Sequence, residues 1–232
     1  MANIVLVHGL WTDWSVWGDV MPILREAGHW VHAVQLPLTS LHDDIGATRC
    51  ALDMWPAPVV LAGWSYGGAV ITNAARRAPN VTGLVYLAAF APDEGESVSD
   101  INRRFPPTAL ASAIRPTQRG EAIRIDQEHY PQVFGADIQR WRAAELAGTQ
   151  KPVSPRCLYT PSGRPAWRRK RCWYQISEHD QALSAQAQRW MAERTGATTM
   201  ALPTSHASPL SRPREVADLI IAAAADAPTP VL

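Results

Sequence analysis

Val59-Val60-Leu61-Ala62-Gly63-Trp64-Ser65-Tyr66-Gly67-Gly68-Ala69-Val70-Ile71 joins a β-branched apolar run to a small-residue, helix-like run through Gly-Trp-Ser-Tyr-Gly. The pattern G-x-S-x-G on a strand-to-helix turn lifts a serine hydroxyl above the edge of a sheet. Glycines are needed two positions to either side because a Cβ there would meet neighbouring backbone. The following helix aims its N-terminal dipole and free N–H groups at that hydroxyl. With Gly and Ser each near 7%, a chain this long shows the pattern by chance only about 0.1 times. The run before it and the helix after it make a purely structural turn the weaker reading.

Outward from this turn, strand and helix alternate. Short apolar runs recur at Ile4 to Val7, Trp30 to Val34, Pro58 to Ala62, Leu84 to Ala89, Cys172 to Ile176 and Thr198 to Leu202, and they read as strands buried on both faces. Helix-like segments lie between them at Val16 to Ala27, Asp43 to Trp55, Gly67 to Ala78, Ala182 to Arg194 and Pro213 to Ala225. The order predicts an α/β fold: a mostly parallel sheet of about six strands, with helices on both faces and right-handed crossovers. From Pro92 to Pro165 the alternation stops and nine prolines appear. A structureless loop of that length is improbable in a compact domain, so residues 93-165 are expected to form an inserted helical cap on a core of 1-92 and 166-232.

A serine hydroxyl at its free pKa is a poor nucleophile and requires a base and an orienting acid downstream. His206 follows the last predicted strand and precedes the last helix, a loop at the carboxyl edge of the sheet. His179 is its competitor in chain order, but it shares a loop with the expected acid. That acid is Asp180, after the strand Cys172 to Ile176; Glu178 and Asp93 are the alternatives. The backbone N–H groups of Tyr66 and Leu10 are expected to hold an oxyanion, Gly9 permitting the close approach of the loop His8-Gly9-Leu10-Trp11. His8, upstream of the serine, reads as a brace for that loop.

Trp11, Trp14 and Trp17 recur at i, i+3 and i+6 and mainly suit the core edge. Trp11, beside the expected oxyanion donor, and Trp64, beside the nucleophile, are the candidates for substrate binding. Five cations crowd Arg164 to Arg171, which suits a solvated face or, alternatively, attraction of an acidic substrate or partner.

With His8-Gly9, Gly63 to Gly68, Leu87 to Asp93, Asp180 and Ser205-His206 in view, the chain resembles a compact α/β-hydrolase. Within that fold it looks like the esterase branch that includes plant methyl-ester esterases, hydroxynitrile lyases and many small bacterial carboxylesterases. The resemblance is strongest over residues 3 to 95 and 172 to 225 and implies Ser65, Asp180 and His206 as a catalytic triad acting on a small-molecule ester without a cofactor. Hydroxynitrile lyases of this branch carry threonine where Gly9 stands and, after the catalytic histidine, a lysine that provides positive charge for departing cyanide. Here Ala207 holds that place, which argues for the esterase over the lyase. C–C bond hydrolysis, acyl-transfer cyclisation on the same triad and a non-catalytic ligand-binding module are the other readings.

Composition narrows the classes further. The 232 residues are 47% apolar and 19% charged with net charge +1, against disorder and against a basic nucleic-acid footprint. Three cysteines are too few for a disulfide framework and point to no metal site. The N-terminus has no basic n-region, and no 18-residue apolar run occurs; a cytoplasmic protein with no membrane span is expected. Charge is uneven: residues 1 to 100 hold four arginines against ten carboxylates, and the remainder is basic.

Overall fold

The computed structural model describes residues 1–56 and 58–226. Six strands form one parallel sheet: β1 Asn3–Val7, β2 Trp30–Val34, β3 Val59–Trp64, β4 Val81–Leu87, β7 Arg171–Ser177 and β8 Thr198–Leu202, in the spatial order β2-β1-β3-β4-β7-β8. Every residue of β3 is buried, as is every residue of the helix Gly67–Ala74 that follows it. This is the centre of the molecule, and a strand covered on both faces explains the unbroken apolar run. The outer strands β2 and β8 are more exposed, and Trp30 on β2 is 62% exposed.

Register aligns the carboxyl ends of the strands. Val7 pairs with Gly63, Gly63 with Tyr86, Leu87 with Gln175 and Ser177 with Leu202. The loops beginning at residues 8, 65, 88, 178 and 203 therefore gather along one edge. Strand order reverses between β1 and β3, and the crevice at such a switch point is where open α/β sheets bind ligands.

The helices follow local chemistry. Ser40 caps Leu41–Asp53 by accepting from the Asp43 N–H (3.1 Å), and Gly196, at φ 63°, ends Ala185–Thr195 where a left-handed residue is needed. The expected helix Val16 to Ala27 is divided: a 3-10 turn covers Trp14–Trp17, and the α-helix runs only over Val20–Glu26. Pro22 is the reason, since its ring is tolerated in a first turn and clashes in a helix interior. Trp17 is buried while Trp14 is 46% exposed.

Between β4 and β7 the chain forms five short helices, Val98–Arg103, Ala109–Ala113, Tyr130–Phe134, Arg140–Gly148 and Arg156–Tyr159. It is not wholly helical: β5 (Ile114–Pro116) and β6 (Ile123–Ile125) make an antiparallel hairpin. The two ends of the segment lie together, the Gly95 N–H donating to the Ser162 carbonyl and the Ser162 N–H to the Glu96 carbonyl, both at 2.8 Å. Among the described residues no helix is long and apolar enough to cross a membrane.

Candidate active site

Ser65 sits on the turn between β3 and the buried helix with φ at 57°, a left-handed conformation that non-glycine residues adopt at a cost of about 1–3 kcal/mol. Surrounding contacts impose it. The Ser65 N–H donates to the Leu87 carbonyl (3.1 Å), and its carbonyl accepts from the N–H groups of Gly68 and Phe90 (3.0 Å each). A Cβ on Gly67 would stand 2.4 Å from the Val7 carbonyl oxygen, and one on Gly63 would stand 2.5 Å from that of Gly67. The turn is too tight for any side chain at those places.

Three side chains from three loops then meet. The Ser65 hydroxyl donates to His206 Nε2 (2.8 Å), and His206 Nδ1–H donates to Asp180 Oδ2 (2.7 Å). Asp180 is an acceptor, so the Nδ1 proton is fixed and Nε2 is left with its lone pair toward the serine. The other carboxylate oxygen accepts from the N–H groups of Ala182 (2.7 Å) and Leu183 (2.8 Å), and Gln188 Nε2 donates to Oδ2 (2.8 Å). The carboxylate's aim is thereby set from both sides. His179 and Glu178 are exposed, Glu178 pairing with Arg189, and Asp93 forms a two-pronged pair with Arg168. None of these alternatives reaches His206.

Gly9 faces the same serine: a Cβ there would lie 2.8 Å from the Ser65 Cβ. The loop after β1 can approach this closely only without a side chain. His8 holds the loop, its Nδ1–H donating to the Gly9 carbonyl (2.8 Å) and its Nε2 accepting from the Leu36 N–H (3.0 Å). Neither the Leu10 nor the Tyr66 N–H donates to a backbone carbonyl among the described residues. The Tyr66 side chain is anchored below by donating its hydroxyl to Asp44 (2.7 Å), a carboxyl whose pKa burial raises.

Burial pushes the His8 imidazole down to about 4 from 6.5. Between those values the unfolded chain binds the extra proton and the folded one does not. His8's contribution to stability is therefore complete above pH 6.5 and is lost as pH falls toward 4, by about 3 kcal/mol in all. Urea unfolding at pH 7 and pH 4.5 should show this loss in the parent and a smaller one in His8→Gln. An equal loss in both proteins would refute this account of His8.

Trp11 lies where expected, lining the cavity over Ser65, with its indole N–H on the Ile123 carbonyl (3.2 Å). Trp64 does not. It is 1% exposed, donates its indole N–H to the His206 carbonyl (2.8 Å) and packs on the imidazole at 5.2 Å between ring centroids. Trp64 lines neither cavity near Ser65, and its indole supports His206 instead. Two further supports carry no sequence motif. Gln188 is one; Asp137 is the other, accepting from the Ser205 N–H (3.0 Å) and its hydroxyl, next to His206.

The cavity at Ser65 and His206 holds only about 20 Å³ and is walled by Trp11, Phe90, Val98, Leu110, Phe134 and Leu158, among others. A second cavity of about 420 Å³ adjoins it, sharing Asn102, Leu110, Leu158 and Ala182. Those four residues divide the small chamber at Ser65 from the larger one, and both are largely apolar.

A model of the alpha/beta hydrolase family matches residues 4–219. A carbendazim-hydrolysing esterase from Nocardioides sp. (strain SG-4G) is 37% identical over 49% of this chain and 53% of its own length. The chain thus spans about half of that enzyme. Esterase PIR7B from Oryza sativa subsp. japonica is 28% identical over 94% of both chains. A crystal structure of a pyrethroid hydrolase superposes with a TM-score of 0.83 at 23% identity, covering 97% of this chain and 98% of the other.

Proposed function

The chain belongs to the alpha/beta hydrolase family, and from that premise we propose that it is a serine esterase cleaving carboxylic esters of small to medium, largely apolar molecules. The observation that carries this reading is the continuous Ser65–His206–Asp180 hydrogen-bond chain on a strained turn. His206 Nε2 takes the hydroxyl proton as Ser65 Oγ attacks the acyl carbon, and Asp180 stabilises the resulting imidazolium. The N–H groups of Leu10 and Tyr66 receive the oxyanion; donors of this kind contribute about 3–4 kcal/mol each. His206 then protonates the departing alcohol and activates the water that releases the acid. Each step uses a protein group.

The two adjoining cavities suggest how the ester is seated. The chamber at Ser65, at about 20 Å³, exceeds only slightly the roughly 10–15 Å³ that one bound water requires. An acyl group reaches the serine by displacing Leu110 or Leu158 into the larger apolar cavity. Leu158→Ala should therefore raise kcat/KM for p-nitrophenyl octanoate relative to p-nitrophenyl acetate by about tenfold, the scale of a few methylenes' worth of pocket contact. An unchanged ratio across that ester panel would place the acyl group elsewhere. An enzyme that turns over none of these esters would contradict the esterase reading itself.

A further inference from the structure

The five cations at Arg164 to Arg171 are not near the serine. Four of them precede β7 and Arg171 begins it, at the amino-terminal edge of the sheet, whereas Ser65 stands at the carboxyl edge. An electrostatic role in drawing substrate to Ser65 does not fit that placement. Instead the segment meets the 3-10 turn Ala75–Arg77, at the far end of the helix that begins beside the serine. The two walls enclose a pocket of about 240 Å³ lined by Arg76, Arg77, Arg164, Arg168, Arg169 and Lys170.

We propose that this pocket binds a small molecule carrying two or more phosphate groups. The charge is poorly neutralised from within. Asp93 engages Arg168 closely, at 2.6 and 2.8 Å, and Glu94 reaches Arg164 only at 3.8 Å. Arg76, Arg77 and Arg169 have no carboxylate within ion-pair distance among the described residues. Like charges converging on a concavity repel one another unless an anion enters.

The walls are also fixed in place, so the convergence does not rest on free side chains alone. Asn73 Nδ2 donates to Ser162 Oγ (3.1 Å), the Gly163 N–H donates to Asn73 Oδ1 (2.9 Å), and Lys170 Nζ donates to the carbonyls of Ala78 (3.1 Å) and Val81 (2.6 Å). Lys170 is thus spent on bracing the pocket, which leaves the guanidinium groups to meet the ligand. Planar guanidinium forks match pairs of phosphate oxygens. A concave pocket of this size fits a diphosphate group better than the flat surface of an acidic protein.

Calorimetric titration of the protein with inorganic pyrophosphate, in metal-free buffer at fixed ionic strength, tests the site. Saturable one-site binding is expected, weaker by about tenfold for orthophosphate because half the charge-assisted contacts are lost. Arg76→Gln with Arg169→Gln should weaken pyrophosphate binding by at least about tenfold, while turnover of p-nitrophenyl acetate without pyrophosphate stays within about twofold. Should that double variant not fold, Arg77→Gln alone should still weaken binding measurably. The absence of saturable binding, undiminished binding in the variants, or preferential binding of a hexaglutamate peptide would each overturn the proposal.

Discussion

Ser65→Ala is expected to lower kcat for p-nitrophenyl esters by at least about 10⁴-fold, because the residues of such a triad act as a unit and loss of the nucleophile removes nearly all of their joint effect. The fold should survive. Alanine keeps the Cβ that Gly9 packs against, and the turn is held by backbone bonds from Ser65 to Leu87, Gly68 and Phe90 that the substitution leaves in place. The hydroxyl's bond to His206 Nε2 is lost, at about 1 kcal/mol for one hydrogen bond. Relief from an unfavourable φ is not available to alanine, so no compensating gain is expected. Thermal unfolding and ester turnover measured on the same preparation separate the two effects. Turnover within about tenfold of the parent would place the chemistry elsewhere.

Asp180→Asn carries the second large effect, and its direction follows from the atoms around the carboxylate. The oxygen that accepts from Ala182 and Leu183 must remain an oxygen, so the amide NH₂ takes the place facing His206. It then donates to Nδ1, driving the ring proton onto Nε2, where the imidazole can no longer accept from Ser65. Gln188 Nε2, which donates to the same place, cannot turn its amide to follow, because its Oε1 accepts from the Ser177 N–H (2.8 Å) and its Nε2 also donates to the Leu183 carbonyl (2.7 Å), so two amide NH₂ groups are left facing one another. A loss of about 10⁴-fold in kcat is expected, with a stability loss of only about 1–3 kcal/mol for the one buried bond left unmade. A loss of stability that parallels the loss of rate would make Asp180 a structural residue and leave His206 without its orienting acid.

Much of the fold is legible in the chain because buried parallel strands are short and apolar. β2, β8 and the helix Pro213–Ala225 begin and end where the residue pattern puts them. The pattern does not distinguish central strands from edge strands, since both read as apolar runs; the exposure of Trp30 belongs to tertiary context. Ser65, Asp180 and His206, the residues proposed for catalysis, are readable because that chemistry fixes residue type and each follows a strand, β3, β7 and β8. Trp64 shows the limit. Spacing places it beside Ser65, but the turn decides which way it points, toward the His206 carbonyl.

The segment between β4 and β7 is less legible for a related reason. Its hairpin has three residues per strand, too short for a period-two pattern to stand out from the prolines around it. Gln188 and Asp137 belong to no motif and are found only by following hydrogen bonds outward from Asp180 and His206. The same holds for Arg76 and Arg77, whose partners in the basic pocket lie 87 to 94 residues further along the chain. The charge run visible in sequence is therefore only one wall of that pocket.

Treatment with a fluorophosphonate, followed by peptide mass spectrometry, addresses the central claim most directly, because the reagent forms a stable bond only with a serine activated by a neighbouring base. The expected result is a single adduct on the peptide containing Ser65, absent from Ser65→Ala and strongly slowed in His206→Ala. A folded protein that hydrolyses esters while Ser65 remains unmodified would contradict the account.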